Sequence, residues 1–96
     1  MKPSDVLSHQ RDAIRRVILS HRVANPRIFG SVARGNDTED SDLDLLIDPT
    51  PETTLLDIGA IRHELLKLLG IPVDVLTPGA LPEKFRATVL AEAKPL

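Results

Sequence analysis

The sequence predicts a small α/β (α+β) domain in which a mixed sheet of three or more strands is flanked by helices, in the order αβαβαβα. Three observations lead there. Apolar residues recur at helical spacing between Leu7 and Ile18 and again from Leu55 to Leu69. Short apolar runs lie at Arg27-Ile28-Phe29, Asp42 to Ile47 and Pro72 to Leu76. Proline, glycine or an Asn/Asp cluster separates these segments.

Taken in order, Ser4-Asp5 is a helix cap, and Leu7, Ile14, Val17 and Ile18 form the apolar face of helix one up to the Asn25-Pro26 break. Arg27-Ile28-Phe29 is strand one and ends in Gly30. Ser31-Val32-Ala33-Arg34 is a brief helix stopped by Gly35, and Asn36 to Ser41 is a polar turn. Strand two runs from Asp42 to Ile47 and is closed by Asp48-Pro49-Thr50-Pro51. The third helix, Leu55 to Leu69, places Leu55, Ile58, Ile61, Leu65, Leu66 and Leu69 on one face, with Gly70 as its stop. Strand three is Pro72 to Leu76, bounded by Thr77-Pro78-Gly79. Leu81-Pro82 opens a last helix reaching about Ala93, with Pro82 at a tolerated first-turn position.

Size and charge limit what can surround these elements. A chain of 96 residues with 42% apolar side chains supports a two-layer core and is read as one domain over residues 1–96. A separate substrate-binding domain would need far more chain, so any large substrate is expected to be held by a partner. The absence of cysteine excludes disulfide frameworks and thiolate metal sites, and is compatible with the cytoplasm. The N-terminal stretch is interrupted by Arg11, Asp12, Arg15 and Arg16, and no later run is long enough to span a bilayer, so a soluble, cytoplasmic protein is expected. Net charge is −2, but residues 37–60 carry eight acids and no base. No single basic face of the kind that binds nucleic acid is evident. The acidic middle looks instead like a cation site.

Within that middle, Asp42 and Asp44 are two residues apart on a strand and share a face, while Leu43, Leu45 and Ile47 point into the opposite layer. Carboxylates side by side repel, and a divalent cation between them removes the cost. Oxygen donors without nearby His or Cys favour Mg²⁺ or Mn²⁺ over zinc. Asp74, between Val73 and Val75, is a carboxylate in an apolar run and needs a partner or a metal. If strands two and three are neighbours, the three carboxylates converge, a set able to hold two metal ions about 3.5–4 Å apart for phosphoryl or nucleotidyl transfer. Asp42 and Asp44 would bridge the pair. Asp74 would ligate one ion and accept the proton of the attacking hydroxyl.

Upstream, Gly30 ends a strand and Ser31 begins a helical turn, so free backbone N–H groups and a hydroxyl face one point suited to phosphate oxygens. Arg34, one turn on, adds a cation. Three rival readings fail at named positions. A calcium loop starting at Asp40 meets Leu45 where Gly is required and Pro51 where Glu is required. A P-loop starting at Gly30 meets Asn36-Asp37 in place of Lys-Ser/Thr. The G-x-G-x-x-G spacing of a dinucleotide site is absent.

Phe29-Gly30-Ser31, followed ten residues later by Asp42-Leu43-Asp44, resembles the pattern of the DNA polymerase beta-like nucleotidyltransferase superfamily. The fuller strings Gly30 to Gly35 and Ser41 to Ile47, with Val73-Asp74-Val75-Leu76 and Leu90-Ala91-Glu92-Ala93, are similar to its minimal nucleotidyltransferases. The resemblance implies the polymerase beta-like fold and a metal-dependent transfer of AMP from ATP, with two Mg²⁺ ions (Mn²⁺ as an alternative) and pyrophosphate leaving. It implies Gly30 and Ser31 at the triphosphate, Arg34 as a further phosphate contact, and Asp42, Asp44 and Asp74 as catalytic metal ligands. It also implies a hetero-oligomeric partner, an all-helical HEPN ribonuclease toxin adenylylated on a tyrosine, with this chain as antitoxin.

Two alternatives stand beside that reading: a catalytically silent antitoxin that neutralises by binding, and, ranked lower, a transferase for small molecules. With no Tyr or Trp and only Phe29 and Phe85, base stacking is limited and selectivity for adenine should be modest. Arg16 to His21 matches the Arg-x4-His motif of the toxin partner, and is read as coincidence because that motif works in an all-helical dimer. His9, His63 and His21 are expected on helix surfaces or ends. Asp37, Glu39, Asp40 and Asp48 are expected to be solvated loop acids, and the third helix's leucines to be core.

Overall fold

A computed structural model describes residues 1–96. The elements are α1 (Pro3–Leu19), β1 (Val23–Phe29), α2 (Gly30–Arg34), β2 (Leu43–Pro49), α3 (Leu55–Leu69), β3 (Val73–Leu76), a 3-10 turn (Pro78–Ala80), α4 (Glu83–Glu92) and β4 (Lys94–Pro95). The strands form one mixed sheet in the order β3-β2-β1-β4. β1 is antiparallel to β2 and β4, whereas β2 and β3 run parallel because α3 makes the crossover between them.

Alternation along β2 sends Leu43, Leu45 and Ile47 to one face of the sheet, where they meet Val73 and Val75 of β3, Ile28 of β1, Ile14 and Ile18 of α1, and Ile61 and Leu65 of α3. The other face carries Phe29 and Leu46, packed with Leu81 and flanked by Leu76, Val89 and Ala93. Two helices thus cover one face fully. The opposite face is covered by Leu81 and by α4, which itself has no buried residue. That uneven cover leaves the strand ends bearing Asp44 and Asp74 accessible.

Local chemistry explains most boundaries. A capping box starts α3: the Thr54 hydroxyl oxygen accepts the Asp57 N–H at 3.3 Å, and the Asp57 carboxylate accepts the Thr54 N–H at 2.9 Å. Gly70 ends α3 in the left-handed region, φ 67°. Strand one extends beyond the expected Arg27-Ile28-Phe29, back to Val23. Asn25-Pro26 does not end the element but forms a bulge inside it: the pairing passes from Ala24↔Asp48 to Arg27↔Leu46, one extra residue on β1, with Asn25 at φ 53°. Proline's missing N–H is tolerated at such a bulge. The sheet gains β4, whose two residues carry no sequence signal of their own, and the final helix ends one residue earlier than expected. Leu55 is not on the buried face of α3; it is 86% exposed at the first helical position.

Two positions shape the fold, and the first departs from the sequence reading. Helix α1 starts at Pro3 without a side-chain cap from Ser4 or Asp5. Instead Asp37, expected in solvent, is only 8% exposed, and its Oδ2 accepts the Ser4 N–H at 2.8 Å. Desolvation alone would raise the Asp37 pKa, but hydrogen bonds from Ser4 and its own backbone, with the nearby Lys2 charge, hold it below its ordinary value of 3.8. Gly30 is the second position, at φ 72° between β1 and α2. A Cβ there would lie 2.2 Å from Asp44 Oδ2 and 3.1 Å from its Cγ. The strand-to-helix turn can approach Asp44 only because that side chain is missing.

Both lead to measurable outcomes. Asp37→Ala should lower stability to urea at pH 7 by about 1–2 kcal/mol, the loss of a helix-capping acceptor at a buried site. Because the folded pKa is depressed, this stabilisation is present above pH 3.8 and fades as pH falls through the folded value, so mutant and wild type should converge in acid. Gly30→Ala should cost at least about 1–2 kcal/mol from backbone conformation alone, read by thermal denaturation, and should displace Asp44 from β1.

Candidate active site

Parallel pairing places Asp44 of β2 directly beside Asp74 of β3, and Asp42 sits one residue before β2 on the same side as Asp44. One carboxylate oxygen from each of the three lies within 4.8 Å of the others. The convergence expected from the strand alternation is therefore present. Asp42 and Asp74 are exposed and Asp44 is half-buried. Burial is the main cause pushing the Asp44 pKa up to about 6, and the charges of Asp74, Asp42 and Glu92 add to it against the opposing pull of Arg34. A half-buried carboxylate facing like charges is a site short of positive charge. Its all-oxygen donor set suits a hard divalent cation of the Mg²⁺ or Mn²⁺ type.

Alongside the acids lies the glycine turn. Gly30, the first residue of α2 directly after β1, is buried, Ser31 beside it is half-buried, and Arg34 is exposed at the end of α2. The Gly30 N–H and the Arg34 side chain are both engaged by one residue that the sequence reading gave no role. Glu92, the last residue of α4, accepts the Gly30 N–H on Oε1 at 3.2 Å, and Arg34 Nη1 donates to Oε1 and Oε2 at 3.2 and 3.3 Å. Sixty-two positions separate Gly30 from Glu92, and only the packing of α4 across the sheet brings them together. A lone acid in the otherwise apolar Leu90-Ala91-Glu92-Ala93 was the available signal.

Other singled-out residues lie elsewhere. His9 and His63 are exposed, as expected. His21 is not a free helix-end residue: its Nε2 lies 2.6 Å from Glu64 Oε2 on α3, while Arg16 is exposed on α1. Asp48 is paired with Arg27 and accepts from Asn25 at 3.0 Å, so it too is no solvated loop acid. Glu39 and Asp40 are exposed. Phe29 is enclosed in the packing with Leu46 and Leu81, and Phe85 is 53% exposed on α4 with Lys84 over its ring. No helix is long and apolar enough to cross a membrane.

Comparison with known proteins gives the family and the fold. The family model described as a nucleotidyltransferase domain matches residues 11–96. A provisionally named protein adenylyltransferase of Methanocaldococcus jannaschii, MJ0435, is 38% identical over 77 residues, spanning 80% of this chain and 83% of that protein. The protein adenylyltransferase MntA of Thermococcus cleftensis is 38% identical over 65 residues, 68% of this chain and 66% of that one. Among solved structures, one provisionally described as a minimal nucleotidyltransferase superposes with a TM-score of 0.85 at 41% identity, over 97% of this chain and 95% of that one. A toxin-antitoxin solved with AMP-PNP gives a TM-score of 0.74 at 16% identity over 88% of this chain and 69% of that one, a likeness of fold. With a family match over most of its length, a mixed sheet of polymerase beta-like type and this array of strand-borne carboxylates, the chain belongs to the nucleotidyltransferase domain family, among its minimal nucleotidyltransferases.

Proposed function

We propose that this chain, acting as one domain over residues 1–96, transfers AMP from ATP to a hydroxyl of a partner protein. The observation that carries the proposal is the meeting of Asp42, Asp44 and Asp74 within 4.8 Å, next to Gly30 and Ser31. Gly30, Ser31 and Arg34 take the triphosphate; Asp42, Asp44 and Asp74 are the residues that would hold two Mg²⁺ ions. When bound, those cations neutralise the clustered carboxylates and the charge of the polyphosphate.

The chain's own residues then have distinct tasks. Gly30 lets backbone approach the phosphates, and Ser31 supplies a hydroxyl donor beside it. Asp74, exposed on β3, accepts the proton of the acceptor hydroxyl as its oxygen bonds to the α-phosphorus and the bond to the pyrophosphate oxygen breaks. The acidic site is open at the surface, with Asp42 and Asp74 exposed, so the acceptor side chain can be brought by another protein. Relatives named protein adenylyltransferases, and a fold neighbour described as a toxin-antitoxin, support a toxin as that partner. The resemblance of the motifs points to a tyrosine of a HEPN ribonuclease and to a role as antitoxin in the cytoplasm. This chain contains no tyrosine, so any adenylylated tyrosine must be the partner's.

A second reading, neutralisation by binding alone, draws on one observation: Glu92 already holds the Gly30 N–H and Arg34. One experiment separates the two. The protein is mixed with Mg²⁺, ATP and the HEPN-type partner, and the partner is weighed by intact mass spectrometry. AMP addition is expected, with Asp42→Asn/Asp44→Asn reducing its rate at least ~100-fold, in keeping with the several kcal/mol that metal-assisted charge stabilisation supplies. No added AMP on a partner that demonstrably binds, with full inhibition retained by the double variant, would establish the binding-only reading.

A further inference from the structure

Glu92 is an acid at the edge of the site to which the transfer chemistry gives no task. Its carboxylate, 20% exposed, bridges a backbone donor at the β1–α2 turn and a guanidinium at the end of α2, the same donors that the proposed function gives to phosphate oxygens. Carboxylate and phosphate oxygens are both anionic acceptors, so the two cannot hold these donors at once.

Two observations bear on which would prevail. The contacts to Glu92 measure 3.2, 3.2 and 3.3 Å, longer than the 2.7–2.9 Å typical of charge-assisted N–H···O bonds. The Arg34 side chain is 51% exposed, which leaves the ion pair weak.

We propose that Glu92 is a displaceable internal anion of the nucleotide site: it occupies the Gly30 N–H and Arg34 in the nucleotide-free protein, and a phosphate group of the incoming nucleoside triphosphate replaces it. This rests on the reading of Gly30, Ser31 and Arg34 as the triphosphate cradle. Glu92 thereby sets how tightly nucleotide binds without touching the bond that is transferred. Its release also frees the end of α4 from α2, a helix otherwise held through half-buried side chains such as Val89.

The test is calorimetric titration of MgATP into the protein without an acceptor. Glu92→Gln keeps an acceptor oxygen for Gly30 and removes the charge; it should tighten MgATP binding about three- to fivefold, the range set by a weak, half-exposed ion pair. Glu92→Ala, which removes the group outright, should shift affinity in the same direction. Arg34→Ala should weaken binding, and on that background Glu92→Gln should gain less, because there is no guanidinium left to compete for. A merely structural role for Glu92 would instead move the denaturation midpoint and leave this coupling at zero. Unchanged or weaker binding in both Glu92 variants, with MgATP binding lost in Asp42→Asn/Asp44→Asn, would overturn the inference and leave the nucleotide site standing. MgATP binding unaffected by Asp42→Asn/Asp44→Asn would overturn both.

Discussion

The parallel register of β2 on β3 is the constraint on which the site depends, because it sets Asp44 beside Asp74 in spite of their mutual repulsion. With Asp42 and Asp74 exposed, solvent screens these charges, and each close carboxylate pair costs on the order of 1 kcal/mol. On the opposite face the same register buries Leu43, Leu45 and Ile47 with Val73 and Val75, each contributing roughly 1.5–3 kcal/mol. Apolar burial therefore outweighs the carboxylate repulsion. A slip by one residue would turn the acids into the core and the leucines into solvent, so the pairing has one workable register. The core thus forces together charges that would otherwise separate.

The remaining structure follows from holding that strand pair in place. Helix α3 makes the crossover that parallel pairing requires, and α1 covers the same face beside it. On the acidic face the turn at Gly30 comes so close to Asp44 that no Cβ fits between them, which brings the glycine turn and the carboxylates to one place. Asp44 is half-buried there, and burial together with the charges of Asp74, Asp42 and Glu92 raises its pKa to about 6. Arg34 and Glu92 then form the edge of the site, one charge of each sign, at the junction of α2 and α4.

Local signals made much of this legible in the sequence. The period-two alternation of Asp42 to Ile47 separated the acids from Leu43, Leu45 and Ile47, and the helical spacing of apolar residues with Gly70 marked α3 and its end. The placement of Asp74 needed one further fact, that strands two and three are neighbours, and alternation alone does not give strand order. Other features depended on contacts distant in sequence. Asp37 caps a helix whose Ser4 lies thirty-three positions away, and Glu92 reaches Gly30 across sixty-two. Neither spacing has a periodic signature. Asn25-Pro26 misled because proline normally ends an element, whereas a bulge lets β1 pass through it. Leu55 followed the helical period but fell at the first helical position, before the face turns toward the sheet.

The central claim is that strand register creates a carboxylate cluster in need of a divalent cation, and the protonation of Asp44 reports it most directly. Side-chain carboxyl ¹³C chemical shifts would be followed against pH in metal-free protein and again with Mg²⁺. The account predicts that Asp44 titrates near 6 without metal and moves well below that value when Mg²⁺ binds, as the cation favours the ionised form. An Asp44 that titrates near 3.8 without metal and does not respond to Mg²⁺ would contradict it.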